Sequence, residues 1–96
     1  MLAANNWNVV QYSVLTMMIA QVSGFEPGEF IHVIADAHIY DRHVPAIEEI
    51  ISHEPKPAPT FRLDPEVKDF YAFTRDSFTI ENYEYSDFTG KIPVAV

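Results

Sequence analysis

His38 and Tyr40, two positions apart, close the run Gly28 to Tyr40, which reads Gly-Glu-Phe-Ile-His-Val-Ile-Ala-Asp-Ala-His-Ile-Tyr. An imidazole donates or accepts at its two ring nitrogens, and a phenol does both at one oxygen. If the run is an extended strand, its side chains alternate between two faces. His38 and Tyr40 then share a face with Phe30, His32, Ile34 and Asp36, while Ile31, Val33, Ala35, Ala37 and Ile39 form an apolar opposite face. Two polar tips on one face can reach one ligand, which predicts a strand lining a polar pocket. The competing reading, that these groups are half-buried and satisfied by backbone, fits the spacing equally well.

Other chemistries find little support. The chain has no cysteine, hence no disulfide framework, thiolate metal site or thiol nucleophile. His38 and His43 are five apart across the end of the run, and His32 and His38 lack a usual ligand spacing with an acid, so no metal is expected. Asp36 and Glu29 would lie on opposite strand faces, and there is no glycine-rich phosphate loop or Ser-His-Asp order. Fourteen acids against six bases give a formal charge of -8, which disfavours nucleic acid or an anionic membrane as partner and leaves a phosphorylated ligand in need of cations from elsewhere. One constellation remains: Asn8, His38 and Tyr40.

The run Asp36-Ala37-His38-Ile39-Tyr40 resembles the Asp-x-His-x-Tyr strand of thymidylate synthases. Three further stretches agree in order: Trp7 to Tyr12 (Trp-Asn-Val-Val-Gln-Tyr), Met17 to Gln21 (Met-Met-Ile-Ala-Gln), and Lys91 to Val96 (Lys-Ile-Pro-Val-Ala-Val). The similarity runs from about residue 5 to the last residue and covers only the C-terminal portion of the family pattern, which begins after the nucleophilic cysteine and its neighbouring arginines. It implies that Asn8 hydrogen-bonds the uracil edge of dUMP, that His38 and Tyr40 hold the sugar 3′-hydroxyl, and that Val94, Ala95 and Val96 form a lid over the bound ligands. The implied reaction moves a one-carbon unit from 5,10-methylenetetrahydrofolate, a cosubstrate, to C5 of dUMP after thiolate attack at C6. Relatives that act on dCMP carry aspartate where Asn8 stands, so Asn8 points to uracil. Read from the residues alone, Asn8 could instead cap the helix that it opens. Arg42, Arg62 and Arg75 match none of the family's phosphate-binding arginines.

The elements that must position these groups follow from patterning. Ninety-six residues, 48% hydrophobic and 14% aromatic, suit one small folded domain that would bury roughly 60 to 65% of its unfolded surface. From Asn8 to Val22 apolar residues fall on nearly every side, which predicts a helix buried round most of its circumference, with Asn5 or Asn6 as N-cap and Gly24 as left-handed C-cap. So small a chain can hardly cover such a helix, which predicts a partner subunit or a missing half. Phe25 to Gly28 reads as a turn. After Tyr40, Asp41 can cap a helix from about His43 to His53, with an apolar stripe of Val44, Ile47, Ile50 and Ile51, Glu48 and Glu49 in water, and Pro55 as its stop. Proline at 55, 57 and 59 predicts an extended connector. Strands are expected at Thr60 to Leu63 and Phe78 to Tyr83, a short helical turn at Asp64 to Glu66, and Phe70, Tyr71 and Phe73 as core fillers.

These readings combine into an α/β or α+β fragment, a long buried helix packed on a sheet that contains the 28 to 40 strand, with residues 1–96 as the C-terminal portion of a thymidylate synthase domain. The expected protein is intracellular and cytoplasmic, forms a homodimer, and is inactive alone for want of a nucleophile. A second reading is a non-catalytic truncated module that binds nucleotide or mediates dimerisation.

Overall fold

The computed structural model of the chain describes residues 2–93. It is an α+β arrangement of two α-helices, three short 3-10 turns and a two-stranded antiparallel sheet. Helix α1 spans Ala4–Ser23, helix α2 Val44–Ser52, strand β1 Thr60–Leu63 and strand β2 Phe78–Glu81.

Helix α1 begins four residues earlier than the apolar run. Its N-cap is Ala3, with no side-chain cap; Asn6 instead donates to the Leu2 carbonyl at 3.1 Å, so the expected asparagine cap is not formed. At the other end Gly24 takes φ 75°, Phe25 N–H bonds Ala20 O at 2.9 Å, and Gly24 N–H bonds Gln21 O at 3.3 Å. This is the left-handed cap that the glycine predicts, and a Cβ there would be strained. Burial departs from expectation. Of the residues in α1 only Ala20 is buried, and Trp7, Val10, Tyr12 and Ile19 are half or more exposed. The helix is therefore mostly exposed rather than a long buried one, because the rest of the chain can cover one side of it only.

That cover comes largely from the segment between β1 and β2. Gln21 Nε2 donates to the carbonyls of Asp64 and Val67, both at 2.9 Å, and so ties the last turn of α1 to this connection. Asp64 N–H reaches Ser77 O at 2.8 Å and closes it. Phe73 stacks on Phe78 with ring centroids 5.9 Å apart, and Phe70 meets Phe73 edge-on at 6.4 Å. Phe70 and Phe73 are half-buried as expected, but Tyr71 is 93% exposed and fills no core. The 3-10 turn Phe70–Ala72 that presents it is capped by Asp69, whose side chain accepts from Tyr71 N–H at 2.9 Å.

The hairpin register pairs Phe61 with Ile80 and Leu63 with Phe78, and Thr60 with Glu81 and Arg62 with Thr79. Opposed residues share a face, so one face is apolar and the other polar. Strand β2 stops at Glu81, short of Tyr83, because Asn82 adopts φ 57° and turns the chain out of the ladder. Helix α2 lies within the expected span and turns Ile47, Ile50 and Ile51 toward Leu2, Asn5, Asn6 and Ile39 across a groove of about 310 Å³. Asp41 makes no cap bond; it opens a 3-10 turn, Asp41–His43, that leads into α2.

Residues 28 to 40 do not form a strand of the sheet, which consists of β1 and β2 alone. The stretch leading to His32 is nonetheless extended. His32 Nε2 meets Asn5 Oδ1 at 2.8 Å, so the eight residues after Gly24 travel back to the first turn of α1. Nineteen helical residues rise about 28 Å, and eight extended residues span about 26 Å. The segment thus runs almost straight along α1 without a neighbouring strand to bond. At Ala35 and Asp36 it bends, which ends the simple alternation of faces.

Candidate functional site

The bend at Asp36 determines how the polar residues meet. His38 Nδ1 lies 3.0 Å from the Asp36 carbonyl and 3.5 Å from Asp36 Oδ1. Both are acceptors, so Nδ1 carries a proton, and in the neutral ring Nε2 is left as an acceptor. The His38 and Tyr40 rings pack edge to face with centroids 5.1 Å apart, and Tyr40 packs likewise on His43 at 5.3 Å. His38 is 49% exposed in its side chain and Tyr40 47% exposed, so both residues are held by ring neighbours and remain half open to solvent. The two residues singled out by spacing are brought together, although by a bend and ring packing rather than by a strand face.

Asn8 comes from helix α1 rather than from the 36 to 43 segment. It lies inside α1, five residues after the N-cap Ala3, so it does not cap the helix. Its side chain is exposed, and among the described residues no hydrogen bond joins it to His38 or Tyr40. The lid residues Val94, Ala95 and Val96 lie outside the described residues.

Two connections were not read from the sequence. His43 marks the expected start of the second helix, with no metal expected at it, yet its Nε2 meets the Pro93 carbonyl at 2.7 Å. The spacing of His38, Tyr40 and His43 is compatible with their ring packing, but nothing in it points to Pro93. The bond between His32 and Asn5 offered no local signal either, since it depends on the return of the chain along α1. Among the described residues no group of three or more His, Asp or Glu side chains gathers as a metal site would require. No helix among them is long and apolar enough to cross a membrane.

The fold and this cluster together define an α+β unit with an accessible hydrogen-bonding site beside a long, largely uncovered helix. The thymidylate synthase family pattern matches residues 1–96. Thermostable thymidylate synthase A from Bacillus subtilis superposes with a TM-score of 0.89 at 44% sequence identity, over 99% of this chain and 33% of that one. The chain belongs to the thymidylate synthase family, and it spans about one third of the length of that solved relative.

Proposed function

We propose that this chain is the C-terminal portion of a thymidylate synthase and supplies the base and sugar contacts for dUMP, within an enzyme that forms dTMP with 5,10-methylenetetrahydrofolate as cosubstrate. The observation that carries the reading is the pairing of His38 and Tyr40, accessible and ring-packed, within a chain matched by the family over all its residues. A sugar hydroxyl is both donor and acceptor. His38 Nε2 can accept its proton, and the Tyr40 hydroxyl can donate to its oxygen. Asn8 offers a carboxamide, one donor face and one acceptor face, which complements the O4 acceptor and N3–H donor of uracil. Val94, Ala95 and Val96 serve as the closing tail, which excludes water once both ligands are bound.

The thiol that adds to C6 is supplied by another part of the enzyme, since these 96 residues contain no cysteine. The phosphate clamp has the same origin. Arg62 is engaged with Glu81 at 3.3 Å on the polar face of the hairpin. The uncovered face of α1 packs against that remainder or against a second subunit of a homodimer, because apolar exposure on this scale is otherwise rare in soluble monomers.

The sugar-reading role is tested by mixing the chain with the cysteine-bearing portion of a thymidylate synthase and comparing dUMP with its 3′-deoxy analogue. The intact pair should prefer dUMP by about tenfold or more, as a site built to bond a hydroxyl does. His38→Ala should shrink that preference toward unity. An unchanged preference would remove His38 from the sugar site.

A further inference from the structure

We propose that His43 is a positioning residue that links the sugar-reading tyrosine to the C-terminal segment, an inference that rests on the functional reading above. Its ring makes two separable contacts. One edge packs against Tyr40 with centroids 5.3 Å apart, and Nε2 lies 2.7 Å from the Pro93 carbonyl. A carbonyl has no proton to give, so Nε2 is the donor and the ring is fixed in the tautomer protonated there.

The segment that it holds is built to be held. Phe88 is half-buried, and its ring folds back over Gly90, where an added Cβ would fall 2.7 Å from the ring tip and push the ring aside. Thr89 Oγ1 lies 3.5 Å from Glu49 Oε1 on α2, which brings the same segment against the same element. His43 itself is half-buried, at the junction of the 3-10 turn and α2. One imidazole therefore joins Tyr40, which faces the sugar, to the residues that lead directly into the closing tail.

The two contacts can be removed separately. His43→Gln keeps a donor at the reach of Nε2 and loses the ring; His43→Phe keeps the ring and loses the donor. In the enzyme reconstituted with the cysteine-bearing portion, His43→Phe should lower kcat about fivefold with KM for dUMP unchanged, the loss expected for one hydrogen bond to a closing element. His43→Gln should preserve kcat and raise KM for dUMP roughly threefold, as loss of an edge-to-face ring contact would. In the 96-residue chain, backbone relaxation measured by {1H}-15N NOE should show Gly90, Lys91 and Ile92 ordered in the wild type and in His43→Gln, and loosened in His43→Phe. Equal behaviour of the two variants in either assay, or a wild-type segment already as mobile as a free terminus, would overturn the proposal. If the mixed portions turn over no dUMP at all, the functional reading fails, and the relaxation data alone decide whether His43 holds the segment.

Discussion

Asn8 carries the sharpest test at the scale of single residues, because the structure removes its simplest alternative role. With Ala3 as the N-cap of α1, Asn8 is an exposed residue inside the helix and has no capping bond to lose. If it reads uracil, Asn8→Asp in the reconstituted enzyme should lower dUMP turnover and raise the ratio of dCMP to dUMP use, since cytosine presents an amino donor at position 4 and an unprotonated N3. The change should be about tenfold or more in that ratio, the scale on which a buried polar reader discriminates. Steady-state assays with both nucleotides measure it; an unchanged ratio would exclude the base-reading role. His38 and Tyr40 were legible because residue type and spacing suffice to place two polar rings side by side. His43 was not, since its partner Pro93 is fifty positions away and the carbonyl that it bonds has no signature in the sequence.

At the scale of elements, legibility followed whether an element is defined by its own residues or by its neighbours. Strand β1, the left-handed end of α1 and the span of α2 depend on local pattern and local breakers, and their ranges agree with expectation. Residues 28 to 40 do not: alternation of Phe30, His32 and Ile34 with Ile31 and Val33 predicts an extended backbone, but a strand also needs a partner to bond. Ile31 and Val33 are 80% and 82% exposed, so that part of the face read as apolar is left uncovered. The burial of α1 fails for the same reason, being a property of what surrounds it. Two substitutions test how α1 is ended and anchored. Gly24→Ala places a Cβ at φ 75° and should cost about 1 kcal/mol, read as a lower urea midpoint. Gln21→Leu removes both donations to the 64 to 67 connection and should cost about 1 to 2 kcal/mol. Protection of the Asp64 and Val67 region in amide exchange should fall with it; a Gln21→Leu chain as stable as wild type would mean that α1 docks without this anchor.

The whole molecule is open for its size. Its accessible surface is 8091 Å², where a compact protein of this mass exposes about 5,600 Å². Its radius of gyration is 16.6 Å, against about 12.5 Å for a compact chain of this length. About half of the surface of the unfolded chain is buried, less than the 60 to 65% anticipated for one small domain. Trp7, Phe25, Ile31, Val33 and Ile51 are each at least 74% exposed, and such surface favours association. Sedimentation of the chain at micromolar concentration should therefore show dimers or larger species, and a compact monomer would contradict that. The central claim, that this is one part of a thymidylate synthase whose nucleophile lies elsewhere, is tested most directly by tritium release from 5-tritiated dUMP in the presence of methylenetetrahydrofolate. The chain alone should release none, for lack of a thiol to add at C6, and the chain mixed with a cysteine-bearing portion should release tritium and form dTMP. Release by the pure chain, or a stable complex of the two portions that releases none, would contradict it.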